Sequence, residues 1–192
     1  MAQCPSYVRF GGPGPFGPTG ISDRLLNKGF CPFSGPAFMI APRFLGKNDF
    51  AHIVRHAPLV SIDIIIRDPE QNVLLGRRMN EPAKGTYFVP GGIVRKNETI
   101  GTAFSRILRA EVSADASLTE ARFVGVFEHI YETNAFGSPD YGTHCVVLAY
   151  EINLTQRPMI QKDFQHDDLR WMSENEILST TGVHPNTQAY FR

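Results

Sequence analysis

The pattern of apolar and polar positions divides the chain near residue 43. From there onward, apolar positions recur at the intervals typical of helices and strands. Residues 1–42 lack this periodicity and are crowded with glycine, proline and phenylalanine, which interrupt regular helix and strand. We therefore predict a flexible N-terminal appendage over residues 1–42 and a folded domain over residues 43–192.

The first half of the domain predicts a helix followed by a β-hairpin. A polar cap at Asn48 precedes apolar residues at helical spacing, and Pro58 closes this helix. A run rich in β-branched residues at 59–68 is joined by a turn at 68–72 to a second apolar run at 73–79. Further strands are predicted at residues 86–90, 121–132, 143–153 and 169–172.

A second, amphipathic helix is predicted over residues 99–112. Its apolar stripe consists of Ile100, Ala103, Phe104, Ile107, Leu108 and Val112. Loops are predicted at Gly91-Gly92 before this helix and at residues 165–168 before the last strand, and two short helices follow that strand. Hairpins and helices without a regular βαβ alternation favour an α+β domain with a mixed sheet.

Composition narrows the classes of function. Lysine plus arginine equals aspartate plus glutamate at 19 each among 192 residues, so no overall basic field is present to hold nucleic acid. The three cysteines form no CxxC pair, which argues against a disulfide framework and fits a reducing cytoplasm. No apolar run reaches 18 residues and no secretory signal precedes the domain. We expect a cytoplasmic protein without a nucleic-acid or membrane partner.

Glu111 is the first candidate for chemistry because it lies along the apolar stripe of the second helix, four residues after Ile107. A buried carboxylate must be paired, neutralised or bound to a metal. Ion pairing with Arg106 or Arg109, or contact with water at the helix end, would explain it equally well. The residues before Glu111 are needed to decide.

Those residues form a spaced motif. Gly92, Glu98, Arg106 and Glu111 are separated by five, seven and four residues, and a strand with a Gly-Gly turn precedes them. This arrangement resembles the Nudix box, G-x5-E-x7-R-E-U-x-E-E-x-G-U, in which U is a bulky apolar residue. The box departs from the family pattern elsewhere, however.

Two of the three clustered glutamates are replaced here by Ile107 and Ala110, and Ser113 and Ala114 replace the last two box residues. In ordinary Nudix enzymes these glutamates help to hold several divalent ions for attack at phosphorus. Their loss puts both the multi-metal site and that chemistry in doubt.

The GDP-mannose mannosyl hydrolases, a branch of the Nudix family, share this loss, and the chain is similar to them from Phe44 to Phe191. The similarity runs through PLVSIDIII, LLGRRMNEPAKG, YFVPGGIV, GVFEHIYE, THCVVL, QHDDLRWM and VHPNTQAYF. The resemblance implies a Nudix fold, with a mixed β-sheet sandwiched between helices, and a homodimer. It also implies that water attacks the anomeric carbon of GDP-mannose, or of GDP-glucose, with inversion and releases GDP.

The same resemblance implies one Mg²⁺, replaceable by Mn²⁺, on oxygen ligands. The ligands carried over are the carbonyl of Gly91, the carboxylate of Glu111 and the side-chain oxygen of Gln165. His166 matches the general base, and Arg78 matches the arginine that contacts the leaving diphosphate. Without the resemblance, His166 would be interpreted as a surface histidine and Arg78 as a solvated strand residue.

Further positions match the family's substrate site. Asp63 matches a residue that contacts the sugar, and His129 and Arg106 match other substrate-site residues, although Arg106 could serve only as the partner of Glu98. In the family, an N-terminal segment contributes to the nucleotide pocket, and it is matched here by Phe44, Leu45 and Phe50. Phe50 could equally be a core residue of the opening helix.

Two site positions depart from this branch. Ile93 replaces an arginine, and Cys145 replaces a tyrosine expected near the diphosphate. Neither residue supplies an equivalent hydrogen-bond donor, although Arg95 could substitute. We expect slower turnover or an altered sugar or base preference.

Two rival functions follow from these departures. One is a Nudix pyrophosphohydrolase that attacks phosphorus, against which Ile107 and Ala110 argue. The other is a catalytically silent Nudix domain that binds a nucleotide or a protein, which Ile93 and Cys145 favour. Retention of a metal shell together with a base, His166, argues against a silent domain.

Overall fold

The computed structural model describes residues 45–158 and 166–192, with His166 and Asp167 described by their backbone. The predicted appendage over residues 1–42, Phe44 and Gln165 lie outside the described residues. Within the described part of the chain, no helix is long and apolar enough to cross a membrane.

The described residues form four α-helices and seven strands. The helices are α1 (Lys47–His56), α2 (Ile100–Val112), α3 (Glu174–Ser179) and α4 (Pro185–Gln188), with 3-10 helices at Leu118–Glu120 and Ala189–Phe191. The strands are β1 (Leu59–Arg67), β2 (Val73–Arg78), β3 (Tyr87–Phe88), β4 (Gly91–Ile93), β5 (Arg122–Tyr131), β6 (Thr143–Asn153) and β7 (His166–Met172).

The strands form one mixed sheet in the order β3-β2-β1-β6-β5, while β4 pairs with β1 and β7 pairs with β2. Strand β1 runs parallel to β6, and the other pairs of strands are antiparallel. The predicted α+β class with a mixed sheet is therefore confirmed.

Alternation along β1 divides the core between the two faces of the sheet. Ile62, Ile64 and Ile66 pack with the apolar stripe of α2 on one face. On the other face, Ile65 packs with Ile177 of α3 and with Tyr190 of the last 3-10 helix. Helices thus cover both faces of the sheet, as expected.

Helix α2 has defined ends that agree with the predicted range. The Thr99 side chain accepts a hydrogen bond from the Thr102 amide and so caps the first turn. At the other end Ser113 adopts the left-handed conformation, with φ 52°, which terminates the helix. Glu111 therefore lies within the last turn of a helix whose end is fixed.

Two segments predicted as loops are strands. Gly91–Ile93 pair with β1 in the register Asp63 with Gly91 and Ser61 with Ile93, and a three-residue strand containing two glycines shows no alternation in sequence. His166–Asp168 begin β7, because backbone pairing with β2 extends beyond the apolar residues of that strand. Both corrections bring predicted site residues into the sheet.

Candidate active site

A single cleft of about 880 Å³ contains the predicted site residues whose side chains are described. They are Leu45, Phe50, Asp63, Arg78, Gly91, Arg106, Glu111 and His129. These residues come from α1, β1, β2, β4, α2 and β5 and from the start of the described chain, so tertiary folding, not sequence proximity, brings them together.

The floor of the cleft is the contact between β1 and β4. A methyl group on Gly91 would lie 2.5 Å from Asp63 Oδ1 and 2.9 Å from the Ile62 carbonyl oxygen. Such distances exclude any side chain at this position without displacement of β1. Gly91 is therefore required for Asp63 to approach the backbone of β4.

Asp63 is buried, with 8% of its surface exposed, and its Oδ2 accepts a hydrogen bond of 2.6 Å from the Tyr190 hydroxyl. Burial raises the pKa of Asp63 to about 6, although the Tyr190 hydrogen bond and the charge of Arg78 oppose this shift. Asp63 is consequently a carboxylate that titrates close to neutral pH.

His129 contacts the same tyrosine hydroxyl as Asp63 does. Its Nε2 is 3.2 Å from the Tyr190 hydroxyl, and its Nδ1 is 3.4 Å from the Tyr131 hydroxyl. Burial, and to a smaller extent the neighbouring His184, lowers the pKa of His129 to about 4. His129 is thus a neutral imidazole at physiological pH.

Sequence analysis missed Tyr190 as a site residue. It is 127 positions away from Asp63 in sequence, within a short polar segment that has no periodicity. The segment VHPNTQAYF that carries the family resemblance includes this tyrosine, and that resemblance was the one available signal.

Arg106 connects α2 to the loop that precedes it. Its guanidinium donates to both carboxylate oxygens of Glu98, at 2.7 and 2.8 Å, and to the Ile93 carbonyl oxygen at 2.9 Å. The hydrogen bonds from Arg106 hold the pKa of Glu98 below its usual value. This geometry supports the structural alternative for Arg106, although Arg106 also lines the cleft.

Glu111 is buried, as its position on the helix predicted, and it lines the α2 wall of the cleft together with Ile107 and Ala110. Arg106 forms its ion pair with Glu98, and Arg109 forms one with Asp115. The cleft end of α2 therefore presents one buried carboxylate flanked by apolar side chains.

The oxygen donors in the cleft fit the implied magnesium. Gly91 and Glu111 line the same cavity, and the described residues contain no group of three or more histidine, cysteine, aspartate or glutamate side chains suited to a metal. Magnesium suits such a sparse set because it usually keeps several waters and takes its other ligands from substrate phosphates. A site of several protein carboxylates is not found in the described part of the chain.

Arg78 and His166 are paired on two adjacent strands. The register of β2 with β7 pairs Arg78 with the backbone of His166, next to an irregularity after Gly76. The Arg78 guanidinium lies over the Phe88 ring, with 5.6 Å between its carbon and the ring centroid. The two residues that resemblance assigns to the leaving group and the base thus belong to one end of the sheet.

The aromatic end of the cleft includes a residue that sequence analysis did not single out. Phe50 of α1 meets Phe136 edge to face, with ring centroids 5.6 Å apart, and both line the cleft. Buried Asn134 holds the loop that carries Phe136 by hydrogen bonds to the Ser138 and Tyr141 carbonyl oxygens.

Both residues that depart from the family branch also line this cleft. Ile93 is paired with Ser61 of β1, and Cys145 lies opposite His129 of β5. Burial raises the pKa of Cys145 to about 11, so its thiol stays protonated at neutral pH. Arg95, which could substitute for the missing arginine, lines the same cleft, as does Lys96.

Comparison with known proteins is consistent with this fold. The family described as NUDIX domain matches residues 57–192. The chain is 38% identical over 143 residues to the low-salt glycan biosynthesis protein Agl8 of Haloferax volcanii, covering 74% of this chain and 86% of that protein.

Among solved structures, a MutT NUDIX hydrolase from Burkholderia pseudomallei is 23% identical with a TM-score of 0.58, covering 71% of this chain and 97% of that one. The NUDIX domain of Shewanella oneidensis NrtR, solved with ADP ribose, is 18% identical with a TM-score of 0.53, covering 76% and 95%. These two likenesses show the fold. Together with the family match over residues 57–192, they establish that this chain belongs to the Nudix hydrolase family.

Proposed function

We propose that this Nudix hydrolase cleaves GDP-mannose, and GDP-glucose as a second substrate, into GDP and the free hexose by attack of water at the anomeric carbon. The α2 wall of the cleft carries the main support, because Ile107 and Ala110 stand where ordinary box carboxylates would hold further metals. When water attacks the anomeric carbon, less negative charge has to be compensated around phosphorus than when water attacks phosphorus. One metal ion is therefore enough.

The proposed reaction balances as an inverting substitution. The water oxygen bonds to the anomeric carbon, the bond from that carbon to the phosphate oxygen breaks, and its electron pair leaves with GDP. His166 takes the proton of the attacking water as general base. Above a pH of about 6, ionised Asp63 contacts the sugar and stabilises the positive charge that develops at the anomeric centre.

The leaving diphosphate needs positive charge as the bond breaks. Arg78 supplies a guanidinium on the cleft wall. A bound Mg²⁺, or Mn²⁺ in its place, would be held by the Gly91 carbonyl, Glu111 and Gln165 and would offset charge on the departing GDP. Within this proposal the enzyme works as a cytoplasmic homodimer, as its composition and its resemblance imply.

Two relatives support a nucleotide sugar as the substrate class. Agl8 is named as a low-salt glycan biosynthesis protein. The NrtR domain was solved with ADP ribose, a nucleoside diphosphate joined to a sugar. The fold therefore accommodates a ligand of the size and charge that we propose.

Product analysis tests this function. The purified protein, incubated with GDP-mannose and Mg²⁺, should give GDP and mannose on anion-exchange chromatography, and Glu111→Gln should abolish turnover. Glu151→Gln is the control, because Glu151 is equally buried and lies outside the lining of the cleft, where it pairs with Arg67 and Arg122. GMP as product would establish the pyrophosphohydrolase instead, and tight binding of GDP-mannose without turnover would establish the silent binding domain.

A further inference from the structure

Tyr190 connects two cleft residues from the core side of the sheet. Its hydroxyl is 2.6 Å from Asp63 Oδ2 and 3.2 Å from His129 Nε2. The ring is buried and packs edge-on against Phe127, with centroids 4.7 Å apart and planes at 88°. Tyr190 is thus fixed by packing and holds both polar side chains through a single oxygen atom.

The chemistry of these groups sets the direction of each hydrogen bond. An ionised carboxylate only accepts, so the single hydroxyl proton of Tyr190 goes to Asp63. The Tyr190 oxygen then offers only lone pairs to His129, and Nε2 must carry the imidazole proton. Nδ1 is left as an acceptor facing the Tyr131 hydroxyl, 3.4 Å away.

The same bond fixes how Asp63 faces the cleft. Tyr190 holds Oδ2 on the core side, whereas Oδ1 is the oxygen nearest to Gly91, on the cleft floor. A carboxylate buried beside a neutral partner otherwise has two rotamers that exchange these oxygens. The hydrogen bond to Tyr190 selects one of them.

We propose that Tyr190 is a positioning residue: backed by His129 in its Nε2–H tautomer, it aims Asp63 Oδ1 at the substrate. His129 then acts through Tyr190 and sets the direction of the hydrogen-bond chain that runs from Tyr131 to Asp63. The effect on turnover rests on the proposed function, whereas the direction of the hydrogen-bond chain does not.

Determining the tautomer of His129 tests the hydrogen-bond chain without any substrate. In ¹⁵N-histidine-labelled protein at pH 8, long-range proton–nitrogen correlation spectra should show His129 protonated on Nε2, its signals being assigned by their loss in His129→Gln. An Nδ1–H tautomer of His129 in the wild-type protein would overturn the hydrogen-bond chain.

Kinetics test the consequence for the reaction. Tyr190→Phe keeps the ring and removes the hydroxyl, so kcat for GDP-mannose should fall by about 10- to 100-fold while KM stays within about twofold. Tyr87→Phe is the matched control for stability and for the His129 spectrum, because Tyr87 is a buried tyrosine that also donates to an aspartate, Asp168. The positioning role would be overturned if kcat were unchanged in Tyr190→Phe, or if KM rose by about 10- to 100-fold while kcat stayed the same.

The outcomes separate the two proposals. If wild-type protein does not hydrolyse GDP-mannose, the proposed function fails, and the tautomer experiment still decides the hydrogen-bond chain. If Tyr190→Phe does not fold, the wild-type tautomer of His129 remains as the test of the hydrogen-bond chain. An Nε2–H tautomer in the wild type accompanied by unchanged kcat in Tyr190→Phe would leave the hydrogen-bond chain intact and refute its catalytic relevance.

Discussion

Strand β1 (Leu59–Arg67) has a buried aspartate at its centre and is followed directly by another, and the two carboxylates differ in their hydrogen-bond partners. Asp68, which follows the strand, is 0% exposed and accepts hydrogen bonds from the Arg157 guanidinium and the Glu70 and Asn72 amides. Asp63, at the centre of the strand, lines the cleft, is 8% exposed and accepts a hydrogen bond from the neutral hydroxyl of Tyr190.

The pKa shifts follow the partners. Burial by itself raises the pKa of either carboxyl, but hydrogen bonds from Arg157 and Asn72 overcome this at Asp68 and hold its pKa below the usual value. At Asp63 burial prevails and the pKa rises to about 6. Both aspartates are buried, but Asp68 stabilises a turn whereas Asp63 is a candidate functional residue, and the charge of the hydrogen-bond partner distinguishes them.

The largest expected contrast is in activity. Asp63→Asn should lower kcat/KM for GDP-mannose about 1000-fold, or about 4 kcal/mol in transition-state stabilisation, because an amide cannot balance positive charge at the sugar. Asp68→Asn should leave kcat per folded molecule unchanged. Equal losses in the two variants, measured by GDP release, would contradict the distinction between the two aspartates.

The pH dependence of stability gives the next largest effect. With its folded pKa raised to about 6, Asp63 binds a proton more tightly in the folded than in the unfolded chain, so its ionisation lowers the free energy of unfolding as the pH rises from about 4 to 6. A shift of this size corresponds to ~3 kcal/mol above pH 6. Asp63→Asn should therefore gain stability relative to wild type across this window in urea unfolding. A difference that is constant with pH would argue against the raised pKa.

The pH dependence of stability is expected to have the opposite sign at Asp68. The lowered pKa of Asp68 means that its contribution is present above the ordinary aspartate pKa and disappears as the pH falls through the folded value. Asp68→Asn should lose about 2 kcal/mol at pH 7, less than a fully buried pair because Arg157 is half exposed. Asp115→Asn, at an exposed ion pair with Arg109, is the control and should show no measurable change. A deficit for Asp68→Asn that does not shrink as the pH falls progressively below the ordinary aspartate pKa would contradict the lowered pKa of Asp68.

The smallest expected effect concerns Ile93, which pairs with Ser61 at the cleft end of β1. Ile93→Arg should raise kcat about fivefold, or about 1 kcal/mol, by adding a cation near the leaving diphosphate. Ile93→Gln is the control for side-chain length without charge. Steady-state kinetics showing no gain for Ile93→Arg over Ile93→Gln would indicate that Arg95 or another residue already supplies that charge.

The sequence predicted the elements that have strong periodicity and missed features that depend on tertiary pairing. The buried face of α2, with Glu111 on it, followed from helical spacing, and the pairing of Arg106 with Glu98 was foreseen as an alternative. Strand β4 was missed because three residues beginning with two glycines carry no pattern.

Tyr190 shows the limit most clearly. Nothing local distinguishes a tyrosine in a short polar segment near Asn186 from a surface residue, and its contact with Asp63 exists only after the sheet has formed. The site could therefore be predicted residue by residue only where a motif or a family resemblance reached it.

Hydrolysis of GDP-mannose with Mg²⁺ in oxygen-18 water tests the central claim, attack at carbon, most directly. Mass spectrometry and phosphorus NMR would locate the label after a single turnover. We expect label in mannose and none in GDP. Label in the phosphate of GDP or of GMP would show attack at phosphorus and contradict the proposed attack at carbon.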